Sequence, residues 1–454
     1  MKNVITIIAD AIRETKFENN TFIAGGFVRD KIMGKESNDL DIVVSLPDGG
    51  IELAKYLYEK GLSSRPVIFQ RFGTAQIIIK NFKIEFVMAR KESYRNKNRK
   101  PDVAHGTINE DIYRRDFTIN SLIMNVMNNE VQDITGKGIS DIKSKIIRAT
   151  SPPNIIFEED PLRMLRAVRF AVQLNFTIDK ETMMGIIRNA EMLKHISRER
   201  IRDELIKILL SSAPAEGIII MIDSGIMQYV IPEIVLLKGV QQNKYHDKDV
   251  LGHTLQVLQN THNDIILRLS ALLHDISKPQ TKTIDAKGIH FYRHEVAGAK
   301  RARKILNDLK FPKDTIDKVT KLIKNHMRLK SFGDTLETLS DVAVRRLMFQ
   351  MQDDLELLLS LIHADNISHA EAYNLPSQIL NLKLRVASNI KKINGKKLPV
   401  TGRDIMLHFE ISEGQNVGKI LDKANEIWLK HPSWNKLEIL NKIEFEEELW
   451  KKKK

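Results

Sequence analysis

The run FIAGGFVRDKIMGKESNDLDIVVS, Phe22 to Ser45, restricts the fold more than any other part of the chain. An apolar stretch stops at Gly25 and Gly26, a helix-like segment follows, and Asp39-Leu40-Asp41 opens a second apolar stretch. Glycines between a strand and a helix let a phosphate approach backbone N–H groups, and the helix N-terminus adds partial positive charge. Arg29, in the first turn of that helix, can reach phosphate oxygens. Side chains two apart on a strand point to one face, so Asp39 and Asp41 can hold the same hard cations. Such a pair suits two Mg²⁺ ions, one activating an attacking hydroxyl and one holding a triphosphate and its leaving group. Each half of the pattern is common by itself; the joined order, with a further glycine at Gly34, is specific. A third carboxylate, Glu85 in KIEFVMARKESY, either faces the metals or faces solvent.

Around this run the pattern is mixed. FIAGG, LDIVVS, AQIIIK, KIEFVMA and SLIMNVM read as short strands, with helices near Val28–Met33 and Ile51–Lys60 between them. Val4, Ile5, Ile8 and Ile12 fit a helix face better than a signal peptide. After Ser151–Pro153 the strand signals fade and helices run almost to the end. EEDPLRMLRAVRFAVQLNF reads as one helix with Pro161 in its first turn, where a missing N–H costs little. Four segments result: 1–150, 151–235, 236–373 and 374–454. No apolar run reaches the roughly 20 residues of a membrane span. The absence of cysteine excludes disulfides and thiolate metal sites and fits a cytoplasmic location. A net charge of +13 favours a polyanionic partner, of which nucleic acid is the commonest.

The Gly-Gly-x-Val-Arg-Asp and Asp-x-Asp pattern resembles the class II tRNA nucleotidyltransferase and bacterial poly(A) polymerase family, within the polymerase-β-like nucleotidyltransferases. RRDFTINSL, Arg114 to Leu122, resembles the family's second motif. The resemblance implies that Gly25, Gly26, Arg29 and Arg115 hold the triphosphate, and that Asp116 and Asn120 fix the ribose. DITGKGISDIKSKIIRA resembles the family's connecting segment, with Asp133, Asp141 and Arg148 at its charged positions and glycines consistent with a hinge. In EEDPLRMLRAVRF, Asp160, Arg163, Arg166 and Arg169 recur every three residues and are expected on one helix face. The family implies that Asp160 and Arg163 read the Watson–Crick edge of cytosine or adenine without a template. Arg166 and Arg169 then support the phosphates or that pair. ISRERIRDELIKILL matches another family element, capped at Ser197, with no chemistry assigned to it. The polar loop RKESYRNKNRKPDVAHGT, with Tyr94, reads as solvated, or as a flap over the site.

A second constellation lies in the helical half. His253, His274, Asp275, His294, His326 and Asp365 each fall on or beside a helix-like segment. Imidazoles and carboxylates suit one or two divalent ions, and a shared aspartate can bridge them. Their order resembles the HD metal-dependent phosphohydrolase superfamily. Lys278 is placed to bind a phosphate, and Ser277 stands where a glycine is frequent. His246, His262, His363 and His369 read as ordinary core or surface histidines. TGRDIMLHFEISEGQNVGKIL resembles a C-terminal segment of such two-part enzymes.

The expected fold class is therefore α+β: a polymerase-β-like head with a small mixed sheet, then an elongated all-α region containing an HD domain. The resemblance implies addition of C, C and A to tRNA 3′ ends from CTP and ATP, with Mg²⁺ at the head. It also implies a divalent metal at the HD site, with a further phosphohydrolase activity. Poly(A) synthesis, CC-only or A-only addition, and a phosphohydrolase with an RNA-binding front domain are the alternatives.

Overall fold

The computed structural model describes residues 2–37, 40–93, 102–243, 245–286, 288–393 and 398–451. It divides into two compact units, Met1–Val235 and Leu236–Lys454.

In the first unit, α1 (Lys2–Ile12) buries Val4, Ile5, Ile8 and Ile12, the face its spacing defines. Then come β1 (Thr21–Ala24), α2 (Gly26–Ile32), β2 (Leu40–Val44), α3 (Gly49–Glu59), β3 (Val67–Phe69), β4 (Thr74–Ile79) and β5 (Phe82–Met88). A hairpin of β6 (Arg90–Ser93) and β7 (Asp102–His105), α4 (Ile108–Tyr113), β8 (Ile123–Asn125) and β9 (Val131–Gln132) complete the head. Seven strands form one sheet in the order β3-β4-β5-β2-β1-β8-β9. Its pairings are antiparallel except for the parallel β2–β5 pair. Leu40, Ile42 and Val44 are fully buried, and α3 packs over β2, β4 and β5. That packing needs Gly50, where a Cβ would lie 2.9 Å from the carbonyl oxygens of Gly73 and Phe86.

The β6–β7 hairpin is a departure from the sequence reading, which took this stretch as a loop. Its strands are polar and carry no apolar alternation to announce them. Residues 94–101 between them, with Tyr94, lie outside the described residues.

Helices dominate after the head: α5 (Gly138–Ser144), α6 (Pro153–Glu159), α7 (Leu162–Leu174), α8 (Lys180–Asn189), α9 (Arg198–Leu209), α10 (Pro214–Asp223), α11 (Met227–Val230) and α12 (Pro232–Val235). Two short strands, β10 (Ile146–Ile147) and β11 (Thr177–Ile178), pair in parallel. The expected single helix through EEDPLRMLRAVRF is two. Asp160 sits between α6 and α7 with φ −143° and ψ 97°, and Pro161 caps α7. The residue before a proline is pushed out of the helical region by its ring, so the chain breaks there.

The second unit begins with α13 (Val250–Gln259), α14 (Ile265–Leu273) and α15 (Lys278–Thr281). The antiparallel hairpin of β12 (Lys282–Asp285) and β13 (Gly288–Phe291) follows, which the all-α expectation missed. Next come α16 (His294–Asp308), α17 (Lys313–Asn325), α18 (Asp341–Met351), α19 (Leu355–Asn366) and α20 (Gln378–Ile393). The last three helices, α21 (Gly402–Phe409), α22 (Gln415–Lys430) and α23 (Lys436–Lys451), share a core around Ile405, Trp428 and Ile439. Arg345 of α18 ties this part to the rest of the unit by donating to the Leu429 carbonyl at 2.7 Å and to Asn389 at 2.8 Å. No helix among the described residues is long and apolar enough to cross a membrane.

Candidate active site and candidate metal centre

Strand register places the head's polar groups. Ile123 of β8, Ala24 of β1, Asp41 of β2, Glu85 of β5 and Gln76 of β4 are successive partners, so they form one row across the sheet. Cross-strand partners point to the same face, which puts the carboxyls of Asp41 and Glu85 side by side. Glu85 is exposed, so it faces the same open side. Asp39 lies outside the described residues.

Gly25 borders this row. Its φ of +73° favours glycine, and its N–H donates to the Leu122 carbonyl at 3.2 Å. A Cβ there would lie 3.4 Å from Arg115 Nη1 and 3.9 Å from Asp41 Oδ2. The bare backbone, a guanidinium and the Asp41 carboxylate thus line one cradle. Gly26 opens α2, with its Cβ position 3.6 Å from Arg29 Nη2. An anion and divalent ions fit this donor set: N–H groups and guanidinium for the first, carboxylates for the second.

Arg29, Asn120, Asp116 and Arg166 form a chain of hydrogen bonds. Arg29 donates to Asp30 at 2.8 Å and to Asn120 Oδ1 at 2.7 Å. Asn120 Nδ2 donates to Asp116 at 3.2 Å, and Arg166 Nε donates to Asp116 at 2.8 Å. Burial would raise the pKa of the Asp116 carboxyl, but the charge of Arg166 and the hydrogen bonds hold it below the usual carboxylate value. Arg115 donates to Asp111 at 3.0 Å and Arg114 does so at 2.6 Å. Burial likewise works to raise the Asp111 pKa, and these two arginines outweigh it to leave the value lowered. Sequence reasoning missed Asp111, which fixes Arg115; INEDIY gave no sign beyond an acidic helix.

The three arginines of α7 do not share one target. Steps of three turn a side chain through about 300°, so the row drifts by about 60° each time. Arg163 donates to the Arg114 carbonyl at 2.7 Å and to Glu159 at 2.9 Å. Arg166 meets Asp116, and Arg169 pairs with buried Glu204 of α9 at 3.0 Å. Asp160 accepts from Arg200 of α9 at 2.8 Å. Thus the ISRERIRDEL element, given no chemistry from the sequence, supplies partners to both ends of the arginine row. Phe170, also missed, sits under three guanidinium groups, with Arg29 and Arg166 at 5.5 Å and Arg169 at 4.2 Å from its ring centroid. Asp141 accepts from Thr118 at 2.7 Å and pairs with Arg148, which also reaches Asp179. Asp133 accepts from Thr135 at 2.9 Å and from the Ile139 N–H at 2.9 Å, so it braces the turn ahead of α5.

In the second unit all six expected ligands converge. His253 comes from α13, His274 and Asp275 from the end of α14, His294 from the start of α16, His326 from the end of α17 and Asp365 from α19. His253 Nε2 lies 3.0 Å from Asp365, His274 Nε2 3.1 Å from Asp275, and His294 Nε2 3.3 Å from both Asp275 and His326 Nε2. Each of the four imidazoles turns Nδ1 to a backbone carbonyl: Ser368, Ala271, Phe291 and Ile323, at 2.7–3.2 Å. That fixes Nδ1 as a donor and, in a neutral ring, leaves the Nε2 lone pair aimed inward. His274 Nε2 and both Asp275 oxygens are buried, and Asp275 faces His274, His294 and Lys278 at 2.7–3.3 Å. This crowding of buried imidazole and carboxylate atoms fits a divalent ion, as do two ligand triads, His253-His274-Asp365 and His274-Asp275-His326. Burial pushes His326 down to about 3, keeping it neutral. Burial works to raise the carboxyl pKa of Asp275 and of Asp365. The charges of His274 and Lys278 for one, and of Lys330 for the other, outweigh it and hold both well below the usual range. His246 and His369, read from the sequence as ordinary, line the same cavity.

Comparison with known proteins places each unit in a family. The poly A polymerase head domain matches residues 21–148, a probable RNA and SrmB- binding site of polymerase A matches 175–237, and the HD domain matches 250–368. A nucleotidyltransferase head and an HD-type helical unit are therefore the two working parts. An A-adding tRNA nucleotidyltransferase of Deinococcus radiodurans is 30% identical, over 69% of this chain and 74% of its own. The chain belongs to the class II tRNA nucleotidyltransferase family. A CC-adding tRNA nucleotidyltransferase of Thermus thermophilus is 28% identical, over 88% of each chain. A CCA-adding enzyme of Levilactobacillus brevis is 38% identical, over 49% of this chain and 54% of its own. Among solved structures, the Bacillus stearothermophilus CCA-adding enzyme in complex with CTP shares the fold, with a TM-score of 0.70, 20% identity and full coverage of both chains.

Proposed function

We propose that the chain adds C, C and A to tRNA 3′ ends from CTP and ATP. The observation that carries the reading is the row placing Asp41 and Glu85 beside the Gly25 cradle. When bound there, Mg²⁺ supplies Lewis-acid stabilisation of the attacking and leaving oxygens. Asp39, Asp41 and Glu85 would hold it. Gly25, Gly26, Arg29 and Arg115 receive the triphosphate through N–H groups and guanidinium forks. Asn120 and Asp116 present amide and carboxylate to the ribose hydroxyls. Asp160 and Arg163 meet the base, Arg163 exchanging its bonds to Glu159 and the Arg114 carbonyl for the base edge. The cationic surplus of the chain receives the tRNA by backbone and shape. The test uses tRNA transcripts ending before CCA, with CTP and ATP separately and together, and sequences the product ends. A homopolymeric adenosine tail overturns this reading.

CC-only or A-only addition is the second reading. It is favoured by two relatives aligned over most of this chain, a CC-adding and an A-adding enzyme. In the same assay CC-only addition gives a product ending in CC, and A-only addition gives a product only from a second transcript that already ends in CC. For the second unit we propose phosphomonoester hydrolysis at a divalent metal held by His253, His274, Asp275, His294, His326 and Asp365. The inward Nε2 set supports it.

Phe170 is assigned as a positioning residue for the triphosphate. Arg29, Arg166 and Arg169 repel one another, and the negative face of the ring offsets that repulsion. Phe170→Leu is expected to raise the KM for CTP and ATP about tenfold with kcat changed less than about threefold, while Phe170→Tyr keeps both near wild type. Equal loss in kcat and KM, or failure of the tyrosine to rescue, contradicts the assignment.

A further inference from the structure

Asp160 stands in the break between α6 and α7, and its two carboxylate oxygens have different holders. Oδ1 accepts from the Leu162 N–H at 3.2 Å, a contact that comes with the start of α7. Oδ2 accepts from Arg200 Nη2 at 2.8 Å. Among the described residues, Arg200 is the one side chain that donates to Asp160. Its companion Arg163 is buried and held three ways, by Glu159 and by the carbonyls of Ile156 and Arg114. Arg200 itself gains little from its place. It lies in the first turn of α9, where a cation opposes the helix dipole. Its side chain is 52% exposed, and an exposed ion pair adds little to stability. Its position is nevertheless fixed from below. Glu204 lies one turn further along the same face of α9 and is buried against Arg169 of α7 at 3.0 Å. That pair sets α9 on α7 and so carries Arg200 to Asp160.

We infer that Arg200 is a positioning residue for base choice: it aims the Asp160 carboxylate so that an amino group is accepted and a carbonyl is turned away. That role rests on the reading in which Asp160 and Arg163 meet the base, and adds what orients the carboxylate. Cytosine and adenine carry an exocyclic amine where uracil and guanine carry a carbonyl oxygen. A carboxylate can only accept a hydrogen bond. Held in place, it attracts the amine and repels the carbonyl; free to rotate, it does less of both. With Oδ2 on Arg200 and Oδ1 on the backbone, the carboxylate plane is set, and each oxygen keeps a lone pair for the base.

The test is steady-state addition by the full-length protein to whichever tRNA transcript the wild type extends, comparing CTP with UTP, or ATP with GTP. Arg200→Ala is expected to lower kcat/KM for the correct nucleotide about tenfold and to leave that for the wrong one within about twofold. Discrimination then falls about tenfold, while the KM for tRNA stays within about twofold. Arg200→Lys, which keeps a charged donor, should hold discrimination within about threefold of wild type. Arg202→Ala removes a cation from the same helix, where Arg202 pairs with Asp203 at 2.8 Å, and should match wild type. Unchanged discrimination in Arg200→Ala, or no recovery in Arg200→Lys, overturns the inference. So does an equal loss with both nucleotides alongside a higher KM for tRNA, which makes Arg200 an RNA contact instead. Asp160→Ala separates the two levels. If it too leaves discrimination unchanged, the base reading itself fails; if it alone destroys discrimination, only the role of Arg200 fails.

Discussion

Asp41→Asn is expected to lower kcat for nucleotide addition with CTP or ATP by about a thousandfold or more. The substitution keeps size and hydrogen bonding but removes the charge that draws hard cations to the β2 strand. Its neighbours in the row, Ala24 and Glu85, keep their places because the register is set by Leu40, Ile42 and Val44 on the other face. CTP should still bind, since Arg29 and Arg115 have their own carboxylate partners in Asp30 and Asp111. Single-turnover addition to a tRNA transcript, with CTP binding measured in parallel, checks it. A variant that adds nucleotides within tenfold of wild type would remove Asp41 from the chemistry.

His274→Ala has the second largest expected effect, on the second unit. Its Nε2 belongs to both ligand triads, so one substitution depletes both. Affinity for Mn²⁺ is expected to fall by more than about a hundredfold, and phosphomonoester hydrolysis by the full-length protein to fall with it. The protein without metal should unfold close to the wild-type temperature, whereas only the wild type gains stability from added Mn²⁺. Comparable Mn²⁺ stabilisation of wild type and variant would place the ion elsewhere.

Much of this was legible from residue order. Apolar runs marked β1, β2, β4, β5 and β8, and the spacing of Val4, Ile5, Ile8 and Ile12 marked α1. The six histidines and aspartates that meet in the second unit were legible because their order resembles the HD superfamily. What escaped were relations across the sheet and between helices. The alignment of Glu85 with Asp41 depends on β2 pairing parallel to β5, which no local pattern states. The partners Asp111, Glu204 and Arg200 look like any charge on a polar helix. Phe170 carried no mark of its own in the sequence, and the meeting of three arginines over its ring shows only in the fold. The break at Asp160 was legible in principle, since a proline follows it. A strict count of three along α7 was read as one face, though a helix turns past that spacing.

The four imidazoles of the second unit take their aim from main-chain oxygens, three of them at the residue three positions earlier. A carbonyl is present whatever amino acid carries it, so exchange of neighbouring side chains cannot rotate these rings. Only unwinding a helix terminus can. The orientation of the donors is thereby insulated from evolutionary drift nearby, and the cluster can persist while the surface around it is rewritten.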